Sequence, residues 1–437
     1  MNKLIHGFSK LSSEEKIDLV TNRFFENPLK SKQVIDLYRL ANKTKQQVHE
    51  RFSENTISNF LLPFSVAPNF LINQKTYCLP MVTEESSVVA AAANAAKFWY
   101  SRGGFQTRVD KMVKKGQVHF FFSGDNKKLE HLFDTHKSHL IKSTKHITHN
   151  MDKRGGGIQS IKFINSTDLL SDYYQLDLEF ITIDAMGANF INSCLEVIAQ
   201  EWNSIYNNSD LFSTSDYFEV LMSILSNHNP DCRVYVKVEC PVNSLGQNTT
   251  EAHNYARRFV LACKIASVSL SRAVTHNKGI LNGIDAVLIA TGNDFRAVEA
   301  SIHSYASING AYQSLSQASI SKGIFRFEMT IPLSIGTIGG LTKLHPLVNW
   351  GHQLLQWPNA ERLMEIIAAA GLAQNFSAIN SLITSGIQSG HMKMHLQNIL
   401  SHLKATDEQR LKATKYFKNR KISVKMVEDY LNHKTSP

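Results

Sequence analysis

Two short stretches, Thr275-His276-Asn277-Lys278-Gly279 and Thr291-Gly292-Asn293-Asp294, set a lysine and a carboxylate on either side of an apolar run. A lysine stays charged in a dry site only when an acid lies close by. The run between them, residues 284–290, is aliphatic and suits a buried helix or strand, so both polar ends can reach one cavity. That layout suits chemistry at a carbonyl, with the ammonium stabilising an oxyanion. A structural ion pair, or two unrelated surface turns, would carry the same residues.

The elements that must hold these groups read as α+β. Val118, Phe120 and Phe122 alternate with polar residues, as do Leu176, Leu178 and Phe180, then Val234, Val236 and Val238, then Phe325, Phe327 and Met329. Each set predicts a strand with one buried face, which fits antiparallel sheets covered by helices. Helical spacing runs over residues 12–25, 86–100, 188–205, 250–267 and 362–370. One strand ends at Ile183 and leads into Asp184-Ala185-Met186-Gly187-Ala188-Asn189, after which Ile191, Leu195, Ile198 and Trp202 recur at helical spacing. Asp184 reads as the N-cap of that helix. Small residues in its first turn would let a phosphate approach free backbone N–H groups where the helix dipole favours an anion, although close packing explains such residues equally. No GxGxxG is present, so an ordinary Rossmann fingerprint is missing.

The chain has 437 residues, 43% hydrophobic and 19% charged, enough for a substantial core in two or three domains. The sequence shows no apolar run of about 20 residues and no h-region near its start, which predicts a cytoplasmic protein without a membrane span. Cys78, Cys194, Cys232, Cys240 and Cys263 are odd in number and lack CxxC spacing, which points to reduced thiols and away from disulfides or structural zinc. The net charge of +10 favours an anionic partner, but the basic residues are scattered. A phosphate-bearing small molecule fits better than nucleic acid.

Many short motifs together resemble class II, or bacterial-type, hydroxymethylglutaryl-coenzyme A reductases. They include Glu54-Asn55-Thr56-Ile57, Ala67-Pro68-Asn69, Glu84-Glu85-Ser86-Ser87, Asp184 to Asn189, Arg272 to Gly279, Thr291 to Asp294, Gly336-Thr337-Ile338-Gly339-Gly340, Gly371-Leu372-Ala373-Gln374-Asn375 and Gly390-His391-Met392. The resemblance implies a large substrate domain from residues 1–108 and 219–376, an inserted small non-Rossmann NAD(P)-binding domain at 109–218, and a helical C-terminal flap at 377–437. It further implies a homodimer, or an assembly of dimers, with the active site at the subunit interface. The implied reaction is the four-electron reduction of (S)-3-hydroxy-3-methylglutaryl-CoA to (R)-mevalonate and free coenzyme A with two NAD(P)H, a step of isoprenoid synthesis.

By motif position, Lys278 matches the family's catalytic lysine, Asp294 its aspartate partner, Glu85 the glutamate of proton transfer and His391 the histidine that protonates the departing thiolate. Glu85 lies near a helix start, which favours its anion, so proton donation requires burial and the like charge of Asp294 to prevail. Arg272 matches the arginine that grips the substrate's free carboxylate, and Ser87, Asn282, Asn227 and Gln374 match the pocket lining. Asp184, Ala185, Met186, Gly187, Ala188, Asn189 and Thr148 fall to the cofactor. Lys10 is a substitute for the arginine that relatives use on coenzyme A phosphate, because Ser9 stands in that motif. His395 follows His391 by one helical turn, but no third ligand accompanies the pair, so no metal is expected. The residues at 145–152 lack an acid for an NAD ribose except Asp152, which predicts NADPH with NADH possible. Two other readings are a different coenzyme A thioester enzyme, such as a lyase or acyltransferase, and an inactive coenzyme A-binding homologue.

Overall fold

The computed structural model describes residues 4–342, 344–384, 396–397, 399–417, 420 and 422–433. It divides into an N-terminal unit, Met1–Pro63, and a larger unit, Phe64–Pro437. In the first, helix α1 (Ser13–Phe24) begins with a capping box, in which Ser12 and Glu15 satisfy each other's backbone N–H groups. Helices α2 (Pro28–Leu37) and α3 (Lys43–Glu50) follow, and Arg39 bridges Glu14 and Glu50. Lys10 ends a short 3-10 turn in this unit.

The larger unit opens with a hairpin of β1 (Phe64–Ile72) and β2 (Lys75–Val82), then helix α4 (Val88–Tyr100). Strand β3 (Gln106–Phe122) is followed by helices α5 (Asn126–Ser143) and α6 (Lys145–Asp152). Next come β4 (Gly157–Asn165), β5 (Tyr173–Ile181), helix α7 (Ala188–Asn207), β6 (Phe218–Leu225) and β7 (Cys232–Pro241). Helices α8 (Thr249–Val268), α9 (Leu270–Ala290) and α10 (Phe295–Ala306) precede β8 (Ser316–Ser321) and β9 (Ile324–Pro332). Helices α11 (Pro346–Leu354) and α12 (Ala360–Ile383) complete the body. Farther on, Leu400, Ala413, Phe417 and Val427 form a small core of their own around helices Asp407–Tyr416 and Val424–His433.

Among the described residues the strands pair antiparallel: β1 and β2 form a two-stranded sheet, and the other seven form a sheet in the order β4-β5-β3-β7-β9-β8, with β6 also on β3. The four alternating sets behave as their period of two requires: Val118, Phe120, Leu176, Leu178, Phe180, Val234, Val236, Val238, Phe325 and Phe327 are wholly buried, and Phe122 and Met329 nearly so. Strand β3 is shared between two cores. Residues 106–112 pair with β7, whereas 113–121 pair with β5. The second half packs Val118, Phe120 and Phe122 with Ile191, Leu195 and Trp202 of α7. The other core joins β7 and β9 to α4, α9 and α12. The expected boundary at 108/109 therefore falls on β3, and that at 376/377 falls on α12.

Residues 284–290 are helical, as the last turns of α9, and the helix expected over 362–370 extends to 24 residues. By length and composition α12 could cross a membrane, contrary to the reading that no segment is apolar enough. It is instead a central core helix, with Leu363, Met364, Ile366 and Ile367 wholly buried. Gly283 and Gly371 let α9 and α12 meet closely: a Cβ at Gly283 would lie 2.5 Å from the Ala370 carbonyl oxygen, and one at Gly371 2.8 Å from Ile284.

Candidate active site

Helix α9 carries one wall of the first cavity. Arg272, Thr275, Gly279 and Asn282 fall three or four residues apart and share a face, with Lys278 beside them. Glu85, Ser87, Gln374 and Asn375 close a space of about 240 Å³ from the α4 and α12 sides. Lys278 Nζ donates to Glu85 Oε2 at 2.5 Å, so the lysine does find an acid, but that acid is Glu85. Ser87 precedes α4 at φ 75, a costly conformation for a residue with a side chain, and caps nothing with its hydroxyl. Arg272 forms no hydrogen bond or ion pair among the described residues, and burial pulls its pKa below the usual arginine value. An anionic carboxylate would complete it.

Behind Lys278 the helix is locked by polar contacts. His276 Nε2 meets Ser316 Oγ at 2.6 Å, that hydroxyl donates to Asn375 Oδ1 at 2.7 Å, and Asn375 Nδ2 donates to the His276 carbonyl at 3.1 Å. The serine proton is spent on an amide oxygen, so His276 must donate through Nε2, which fixes its tautomer. Burial, helped by Arg272, pushes His276 down to about 4 and keeps it neutral. A larger cavity of about 540 Å³ lies beyond Ser316, between α8, β8 and β9, and contains no lysine–acid pair of this kind.

The second cavity, about 340 Å³, is lined by Ala185, Met186, Gly187, Ala188 and Asn189 on one side, and by Gly292, Asn293 and the glycine-rich segment from Gly336 to Gly340 on the other. Gly187 sits at φ 91 against the Thr182 side chain, where any Cβ would collide, so glycine is required. It also starts α7 without a side-chain cap, leaving first-turn N–H groups free, as an anion site needs. Asp184 is not that cap. Its carboxylate accepts from the Ala360 N–H at 2.8 Å and so serves the start of α12. Ile183, a β-branched residue at φ 51, marks strain in the same loop.

Asp294 does not share the first cavity. It caps α10 by accepting from the Arg296 and Ala297 N–H groups and pairs with the Arg296 guanidinium at 3.0 Å. About 18 Å of helix axis separates Lys278, near the middle of α9, from Ala290 at its end, at about 1.5 Å per residue, so within one chain the lysine and this aspartate stand well apart. Asn227 also lies apart from the first cavity, in a small hollow with Lys114, Met186 and Ala188. Thr148 is buried, and its hydroxyl donates to Asp152, which Lys145 also holds at 2.8 Å. His391 and His395 lie outside the described residues. Among the described residues no cluster of three metal-binding side chains occurs.

Three features escaped sequence reasoning. Asp285 on α9 and Glu299 on α10 form a carboxyl pair, and burial together with Glu299 raises Asp285 to about 8 against the opposing charge of Lys278. Ser316 and Asn375 brace α9 through His276, as described above. Lys114 is buried beneath the 184–189 loop, and its only sequence signal is a lysine on an otherwise buried strand face.

Residues 13–396 match the family model for hydroxymethylglutaryl-coenzyme A reductase. The 3-hydroxy-3-methylglutaryl-coenzyme A reductase of Archaeoglobus fulgidus is 35% identical over 94% of this chain and 89% of its own, and a probable reductase of Borreliella burgdorferi is 32% identical over 82% and 80%. A Streptococcus pneumoniae reductase structure aligns at TM-score 0.73 and 32% identity, covering 98% of this chain and 99% of that one. A class II structure from the same organism, bound to NADPH in open conformations, aligns at TM-score 0.72 and 34% identity over 87% and 99%. A lysine–glutamate pair in one cavity, a glycine-lined helix start in another and this likeness over nearly the whole length lead to one assignment: the chain belongs to the hydroxymethylglutaryl-coenzyme A reductase family, in its class II branch, and is an NAD(P)H-dependent oxidoreductase.

Proposed function

We propose that this chain reduces hydroxymethylglutaryl-CoA to mevalonate and free coenzyme A with two NADPH and two protons, at a site completed by a second copy of itself. One observation carries the assembly: Lys278 and Glu85 line one cavity at the middle of α9, while Asp294 lies beyond the C-terminal end of that helix and the 184–189 loop lines a separate cavity. A second copy related by a two-fold axis would bring the lysine of one chain to the aspartate of the other, twice over. The exposure of the pair supports this, since the Lys278 side chain is 59% and that of Glu85 39% accessible in the single chain. Oxyanion stabilisation gains most in a site from which water is excluded, and a partner would exclude it. Exposed Val268, Leu270 and Val274 at the α8–α9 corner suit a covered face.

The reduced nicotinamide supplies hydride, and its pyrophosphate fits the free N–H groups at the start of α7. Arg272 holds the substrate's free carboxylate. Lys278 draws charge from the thioester carbonyl as hydride arrives, and Glu85, bonded to Lys278, holds the proton for the new hydroxyl. As the thiohemiacetal collapses to aldehyde its hydroxyl returns its proton to Glu85 and His391 protonates the departing coenzyme A thiolate, and the second reduction reuses Lys278 and Glu85 on that aldehyde. Asp152 is the one acid near the expected ribose position, and Lys145 and Thr148 already engage it, which favours NADPH over NADH. On this reading the second half of β3 through β6 holds the dinucleotide, and the chain beyond α12 forms the flap of a cytoplasmic homodimer. The test is purified protein with hydroxymethylglutaryl-CoA and each reduced nicotinamide, following loss of nicotinamide absorbance. No turnover with either cofactor would overturn the proposal, and equal or better efficiency with NADH would overturn the cofactor assignment.

A further inference from the structure

Strand β3 alternates strictly over its second half, so residues 114, 116, 118, 120 and 122 all face the core. Four of them are glycine, valine or phenylalanine. The fifth is Lys114, 3% exposed. Its ammonium donates to Thr182 Oγ1 at 2.8 Å, to the Ala185 carbonyl at 2.9 Å and to the Met186 carbonyl at 2.8 Å, with a longer contact to the Ile335 carbonyl at 3.4 Å. Three hydrogens meet three close oxygens, and no carboxylate lies within ion-pair reach among the described residues. Burying a cation without a counter-ion is costly, and burial accordingly drives the Lys114 pKa below the usual lysine value.

We propose that Lys114 is a positioning residue of the dinucleotide site, whose buried ammonium turns the Ala185 and Met186 carbonyls inward and so presents the 184–189 loop to the cofactor. In a trans peptide the carbonyl and the following N–H point in opposite directions. With both carbonyls drawn to Lys114, the N–H groups of Met186 and Gly187 face away from it, and both residues line the second cavity. Thr182 completes the device: it accepts from Lys114 and donates to the Ala185 carbonyl at 2.7 Å, tying the strand end to the loop. The uncompensated positive charge lies just behind the start of α7, where it adds to the helix dipole acting on a phosphate. This inference rests on the reading of that cavity as the NADPH site.

The test compares the full-length enzyme with Lys114→Met and Thr182→Val, two variants of similar shape. NADPH affinity is measured by fluorescence titration without thioester, and KM for each substrate and kcat by steady-state kinetics. Losing hydrogen bonds to a charged group should raise the NADPH Kd and KM about tenfold or more in Lys114→Met, and less in Thr182→Val. KM for hydroxymethylglutaryl-CoA and kcat at saturation should change little. If the unaltered enzyme fails to bind NADPH, the reading of the cavity falls. If it binds and Lys114→Met binds equally well, only the positioning role falls. A parallel loss of both KM values and kcat would make Lys114 a general strut and overturn the proposal. Should Lys114→Met not fold, Thr182→Val decides by the same criteria.

Discussion

Lys278 lies near the middle of α9 and Asp294 just beyond its C-terminal end, and a subunit-complementation experiment turns that geometry into a number. Lys278→Met and Asp294→Asn homodimers should each lose about a hundredfold or more in kcat, the usual effect of removing an oxyanion-stabilising group. If each site takes its lysine from one copy and its aspartate from the other, a mixed dimer has one site with both defects and one with neither. Random exchange of equal amounts makes about half the dimers mixed, each with one sound site of two, so activity should recover to about a quarter of the unaltered enzyme. The single chain disfavours the alternative, because about 18 Å of helix must be spanned by two side chains that reach only part of that distance. The assay is turnover after dissociation and re-association of the mixture, with mass spectrometry to count mixed dimers. Activity no higher than the two parents, with mixed dimers present, would refute the shared-site argument.

Arg272→Lys keeps the charge but loses the planar fork, so KM for hydroxymethylglutaryl-CoA should rise about tenfold while KM for NADPH holds; an unchanged thioester KM would remove Arg272 from the pocket. Gly283→Ala places a Cβ 2.5 Å from the Ala370 carbonyl oxygen. It should cost about 1–3 kcal/mol in denaturant unfolding, and an unchanged midpoint would mean that α9 and α12 are farther apart than described. Asp285 stays protonated in the fold up to about 8 but ionises near 3.8 when unfolded, so stability from this group falls as pH rises across that window. Asp285→Asn should therefore melt progressively higher than the unaltered protein as pH increases through it, and a difference independent of pH would count against the shift. His391→Gln should be badly impaired on the thioester yet reduce added mevaldehyde far better, since the aldehyde has no thiolate to protonate; equal loss on both would assign the histidine to the hydride steps.

The faces of β3, β5, β7 and β9 were legible because a period of two is local and each has one apolar side. The full length of α12 was not, since burial all round removes the contrast that marks a helix face. Glu85, Lys278, Arg272, Asn282 and Gln374 were readable through short motifs, and the fold brings all five to one cavity. Asp184 was misread for a physical reason: a carboxylate before small residues resembles a cap, but its partner N–H is 176 residues away. The separation of Lys278 from Asp294 holds whether the apolar run is helix or strand, since the stretch from 278 to 290 spans about 18 Å as the one and about 40 Å as the other, and what the sequence does not record is the second copy that could join them. Lys114 stands out on its strand face, but its partners were invisible because they are mostly carbonyls gathered by a loop, and no side-chain pattern records where a carbonyl turns.

A single continuous strand through both cores limits how such enzymes can be re-engineered. The region proposed to hold the dinucleotide resembles a cassette, yet it is not one: residues 106–112 of β3 run along β7 while the following nine lie against β5. Removing residues 109–218 would strip β7 of a neighbour and leave an open edge, inviting aggregation. A module grafted from a relative must also enter in register, because a shift of one residue would send Val118, Phe120 and Phe122 to solvent and draw Gln117 and His119 inward. Cofactor exchange in this scaffold is therefore a matter of side-chain substitution on an intact β3, and insertions are best confined to the loops between strands.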